Sequence, residues 1–166
     1  MKTRVYSMLV DNTSGVLSRI AGMFSRRGYN IDSLTVGVTA NPKVSRMTVS
    51  ATGENDVLDQ ITYQLAKLVD VKDVKILKKG ESVIRELMLV KIRVGAAERQ
   101  NVISVTNVFR YKIVDVNADS MIIEATGEKK KLQAFLELLA DYEILELART
   151  GVTGLSRGSE DVVFFD

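Results

Sequence analysis

Two short polar clusters hold the residues best suited to chemistry. The first is Asp11-Asn12-Thr13-Ser14-Gly15 and the second is Arg27-Gly28-Tyr29-Asn30-Ile31. Small hydroxyl and amide side chains beside glycine suit recognition of a small polar ligand. Between the clusters, Val16, Leu17, Ile20, Ala21 and Phe24 recur at helical spacing, and Val5, Met8, Leu9 and Val10 ahead of them read as a strand. The clusters therefore bracket one short helix. Residues 11–14 offer side chains to cap its start, while Arg26, Arg27 and Gly28 form a stop signal at its end. The first-turn amides after Ser14 lack helical partners and lie at the positive pole of the helix dipole, so a carboxylate can dock there. Asn12 can hydrogen-bond either end of an amino-acid ligand. The same residues also read as ordinary helix punctuation, and both readings stand at this level.

Composition narrows the chemistry further. The chain has 166 residues, 46% hydrophobic, with no Cys and no His. That excludes disulfides, thiol nucleophiles and zinc–thiolate sites, and removes the commonest general base. Its 23 basic and 21 acidic residues are interleaved. The dense run Lys129-Lys130-Lys131 opens a predicted helix and reads as a solvated face, so no nucleic-acid partner is expected. No apolar run approaches a membrane span and the first residues lack the apolar core of a signal peptide. A cytoplasmic location with no membrane partner is the expectation.

The elements that position the clusters follow from periodicity. After the first strand and helix come strands at 32–38 and 46–52, a helix whose apolar positions are Val57, Leu58, Ile61, Leu65, Leu68 and Val69, and a strand at 71–77. This is the β-α-β-β-α-β order of a ferredoxin-like domain. A second round follows: a strand at 86–94, a helix at 97–109, a hairpin at 111–116 and 120–125, a helix at 128–139 and a strand at 144–148. The fold class is α+β, with domains at 1–79 and 80–166 joined near Lys78-Lys79-Gly80-Glu81-Ser82. An RNA-binding use of this order needs aromatic residues on the sheet, and strand 46–52 has none. An enzyme built on Asp11, Asp32 and Lys91 lacks any paired-carboxylate spacing.

Residues 11–19, 24–31 and Ser45-Arg46-Met47-Thr48 resemble the ACT domain of acetolactate synthase small subunits. The resemblance continues through 68–71 and 85–91, and into the tail at 148–158. It implies a regulatory subunit, not itself catalytic, that associates with an acetolactate synthase catalytic (large) subunit, raises its activity and confers feedback inhibition by valine. Thiamine diphosphate, magnesium and FAD would belong to that partner. An ACT-domain sensor of a different metabolic enzyme is the alternative.

The resemblance also implies a homodimer in which valine lies between two ACT domains. The positions it points to are Asn12, Gly15, Val16, Asn30, Ile31 and Thr35. Asn12 is expected to contact the ligand head group, and amides around Gly15 and from Ile31 its carboxylate. Asn30 either touches the ligand or closes an Asx turn in its own loop. Leu9, Val16, Leu17, Leu34 and Val36 are expected in the core. The glycine-containing tail ends in Val162-Val163-Phe164-Phe165, expected to fold back on its own domain.

Overall fold

The computed structural model describes residues 1–160, 162 and 163. The described residues divide into two compact units: Met1–Val83 with those from Val152 onward, and Ile84–Gly151. In the first unit, β1 (Lys2–Asp11), α1 (Val16–Arg26), β2 (Ser33–Val38), β3 (Val44–Gly53), α2 (Asn55–Lys67) and β4 (Val71–Leu77) follow the ferredoxin-like order. The strands form an antiparallel sheet, β2-β3-β1-β4. Strand alternation sends Tyr6, Met8 and Val10 of β1 and Met47, Val49 and Ala51 of β3 into one core. Ile20, Met23 and Phe24 of α1 and Leu58, Ile61 and Leu65 of α2 fill it from the helix side. Each such side chain contributes about 1.5 to 3 kcal/mol when fully buried.

The second unit repeats the plan. Its elements are β5 (Ser82–Arg93), which belongs to it from Ile84 onward, α3 (Arg99–Val108), β6 (Lys112–Val116), β7 (Ser120–Gly127), α4 (Lys129–Leu138) and β8 (Ile144–Arg149), and the strand order is β6-β7-β5-β8. The likeness extends to irregularities. Pairing of β1 with β4 shifts register between Leu9 and Val10, and pairing of β5 with β8 shifts between Lys91 and Ile92. Both first helices also end alike. In α1, Gly28 takes φ 70°, its N–H donates to Ser25, the Tyr29 N–H donates to Phe24, and the Phe24 and Tyr29 rings meet edge to face. This is a Schellman cap. In α3 the left-handed residue is Arg110, at φ 59°, with Arg110 N–H to Asn107 and Tyr111 N–H to Thr106.

Several sequence expectations shift. A final strand, β9 (Thr153–Ser156), pairs with β5 and has no periodicity long enough to announce it. The stretch from Val152 packs with the first unit, and that unit reaches Val83 rather than 79. Val69 is 84% exposed, because α2 already stops at Lys67. Leu9 and Val16 are buried and Leu34 packs against the core, but Leu17 and Val36 are each 47% exposed. Phe164 and Phe165 lie outside the described residues. Among the described residues no helix is long and apolar enough to cross a membrane.

Candidate functional site

The loop between β1 and α1 is shaped by backbone geometry, not by side-chain caps. Gly15 is the residue before the helix, at φ 88° in the left-handed region, and no side chain of residues 11–14 caps α1. The expected caps are engaged elsewhere. Asp11 reaches Lys72 at 3.5 Å, and Asn12 turns toward the β2–β3 hairpin. There the Asn12 N–H donates to the Lys43 carbonyl at 2.8 Å and its Nδ2 donates to the Pro42 carbonyl at 2.9 Å. The Pro42 bond fixes the amide orientation and leaves Oδ1 as an acceptor without a donor among the described residues.

At the helix start, Arg19 is the first residue whose N–H finds a helical acceptor, the Gly15 carbonyl at 3.0 Å. The amides of Val16, Leu17 and Ser18 before it have no partner one turn back. Val16 directs its side chain into the core, at 4% exposure, so what it offers here is its amide. The Arg19 guanidinium stands over the same spot. A Cβ on Gly15 would fall 2.8 Å from Arg19 Nη1, so glycine makes room for the guanidinium at this spot.

Asp70 holds the guanidinium in place. Arg19 Nε and Nη2 donate to its two oxygens at 2.5 and 3.0 Å. The fork leaves Nη1 without an acceptor among the described residues. The hydrogen bond from Arg19 holds the Asp70 carboxyl below its ordinary value, with Lys72 adding to the effect against desolvation, and the Arg19 guanidinium is correspondingly raised. Three amides without helical partners, the helix pole and the guanidinium nitrogen thus stand together at the start of α1 and suit a carboxylate, while the Asn12 amide oxygen on the adjoining loop suits an ammonium group. Arg19 and Asp70 were not among the sequence candidates. Arg19 sits four residues after Gly15 on the same helix face, a readable spacing. Asp70 precedes β4, the sheet neighbour of β1, and lies 51 residues beyond Arg19 in the chain, so nothing local marks it.

The second cluster lies at the other end of α1. Asn30 Nδ2 donates to Asp32 at 3.2 Å, and the other Asp32 oxygen accepts from Thr52 at 2.6 Å. Asn30 thus bonds a side chain of its own loop, a contact between two side chains and not the backbone bond of an Asx turn. Ile31 packs against the core edge. Thr35, on β2, donates its hydroxyl to the Val152 carbonyl at 3.1 Å, and the Val152 N–H returns to Ser33 Oγ at 3.3 Å. Within one chain, Asn12, Gly15 and Val16 come together, Asn30 and Ile31 come together, and Thr35 ties down the start of β9. Among the described residues no group of three or more His, Cys, Asp or Glu is placed to hold a metal ion.

The two repeats, with a glycine-started helix over a polar loop in the first, define an ACT-type protein. The profile described as "AHAS small subunit-like ACT domain" matches residues 6–73, and that described as "Small subunit of acetolactate synthase" matches 85–158. A probable acetolactate synthase small subunit of Methanothermobacter thermautotrophicus is 49% identical, covering 95% of this chain and 94% of its own. The acetolactate synthase isozyme 3 small subunit of Escherichia coli is 48% identical, covering 95% and 97%. The crystal structure of the small subunit from Thermotoga maritima superposes with a TM-score of 0.87 at 37% identity, over 96% of this chain and 99% of that one. The chain belongs to the acetolactate synthase small-subunit family, regulatory subunits of branched-chain amino-acid synthesis.

Proposed function

We propose that this chain binds valine at the start of α1 and transmits its occupancy to an acetolactate synthase catalytic subunit, which it activates when the site is empty. The observation that carries this reading is that the unpartnered amides after Gly15 and Arg19 Nη1 stand together at the start of α1, with the Asn12 amide oxygen on the adjoining loop. Those groups match both charged ends of an amino acid. Carboligation of two pyruvates to acetolactate falls to the partner, with its thiamine diphosphate, magnesium and FAD, and the pair works in the cytoplasm.

A site that also uses Asn30 and Ile31 requires a second copy. At 1.5 Å per residue, the 11 residues of α1 separate the two clusters by about 16 Å, far more than an amino acid spans. The surface supports such pairing. β2 is an edge strand, and Val36 and Val38 on it and Leu17 on α1 are exposed. Valine at such a junction would tighten the homodimer and change the surface presented to the catalytic subunit. Coupling of about 1 to 3 kcal/mol is enough for strong feedback.

The test is acetolactate formation by the catalytic subunit with and without this chain, titrated with valine, leucine and isoleucine. Stimulation by the chain and its reversal by valine is the expected result. A catalytic subunit indifferent to the chain at saturating concentration would overturn the reading.

A further inference from the structure

A cavity in the first unit shares no residue with the loop at α1. It has a volume of about 560 Å³ and is lined by Lys75 of β4, the turn carrying Lys78 and Glu81, Ser82 at the start of β5, and Arg157 just after β9. The turn is closed by the Glu81 N–H to the Lys78 carbonyl at 3.2 Å, with Gly80 at φ 85°. The Arg157 N–H donates to the Glu81 carbonyl at 2.8 Å, which holds the end of β9 against the turn.

Two features of this cavity are incomplete as they stand. Lys75, Lys78 and Arg157 have no carboxylate partner among the described residues, and Glu81 is the one anion on the wall, so positive charge is in excess. Ser82 is only 9% exposed, and its hydroxyl has no hydrogen-bond partner among the described residues. Buried hydroxyls in native proteins are nearly always paired. A multiply charged anion would satisfy both features at once, accepting from the hydroxyl, from two ammonium groups and from a planar guanidinium. The volume falls in the ordinary range for small-molecule sites and exceeds the need of one phosphate.

We propose that this cavity is a binding site for a small phosphorylated anion, with Lys75, Lys78 and Arg157 neutralising its charge and the Ser82 hydroxyl donating to a phosphate oxygen. Occupancy bridges the β4–β5 turn to β9, so it stabilises the docking of β9 onto the first unit. Its phosphates come either from a free ion or from a nucleotide, and the shared chemistry is the diphosphate group.

Titration calorimetry of the full chain with pyrophosphate and with adenosine diphosphate, at matched ionic strength, tests this independently of any catalytic partner or of valine. Saturable binding is expected, weakened at least about tenfold by Lys78→Gln or Arg157→Gln through loss of one charge-assisted contact. Equal affinity for the two ligands assigns the contacts to phosphate alone, and tighter adenosine diphosphate adds the nucleoside to the site. Ser82→Ala separates binding from folding. It removes an unpaired buried hydroxyl, so the melting temperature without ligand should hold or rise while pyrophosphate affinity falls. No saturable binding of either ligand, or affinity unchanged in all three variants, overturns the proposal.

Discussion

Replacing Gly15 by alanine probes the local geometry on which the effector site depends. Gly15 sits at φ 88°, where an L-residue costs about 1 to 2 kcal/mol. Alanine's smaller unfolded-state entropy does not recover that at a position whose native φ is positive. At about 4 to 8 °C per kcal/mol for a domain of this size, the melting temperature should fall by about 5 to 15 °C. The new Cβ would also stand 2.8 Å from Arg19 Nη1, a flexible end that can swing aside. The double variant Gly15→Ala/Arg19→Ala therefore isolates the backbone part, which should persist. Gly15→Asp supplies the opposite ranking. Aspartate tolerates the left-handed region better than alanine, so stability should fall less, yet its carboxylate occupies the anion position and valine inhibition should vanish. Thermal melts of the three variants and valine titrations of the reconstituted enzyme check both halves. A Gly15→Ala melting temperature within about 1 °C of the parent would refute the strain argument. Wild-type valine inhibition of Gly15→Asp would remove the α1 start from the site.

Asn12→Ala should abolish valine inhibition while leaving activation intact, because it removes the Oδ1 acceptor and loses only an exposed bond to Pro42; acetolactate assays with and without valine decide it. For Asp70, the folded carboxyl is held below its ordinary 3.8 by Arg19, so its stabilising contribution is present above that value and lost as pH falls through the folded value. The melting-temperature gap between parent and Asp70→Asn should thus be constant at neutral pH and close below about pH 4; a gap independent of pH would count against the pairing. In the second unit, Glu86 is 5% exposed and accepts from Arg149 at 2.7 and 3.2 Å. Arg149→Met should cost about 2 to 3 kcal/mol by stranding a buried charge, and adding Glu86→Leu should recover most of it in urea denaturation. Arg110→Gly should stabilise the second unit by up to about 1 kcal/mol, since Arg110 occupies the left-handed position that Gly28 fills in the first repeat.

Local pattern carried much of this protein. Alternation in β1 and β3, helical spacing in α1 and α2, and Gly28 as a helix stop depend on neighbours a few residues apart, so they are legible in one dimension. The same is true of the second repeat. What failed were elements without period: β9 is four residues long and exists because β5 offers it a partner. The capping expectation failed for a related reason. Side chains at residues 11–14 are suited to cap α1, but the hairpin carbonyl of Pro42 and the ammonium of Lys72 compete for them across the sheet.

The candidate site divides along the same line. Sequence by itself determined that Asn12 and Gly15 precede a helix, with Arg19 one turn beyond, because chain connectivity places them there. Only tertiary structure decided that Asp70 would orient Arg19, that Asn12 would show an acceptor rather than a donor, and that Thr35 would tie down Val152. Those outcomes depend on which strands lie side by side, and hydrogen-bond partners supplied across a sheet leave no signal at either residue alone.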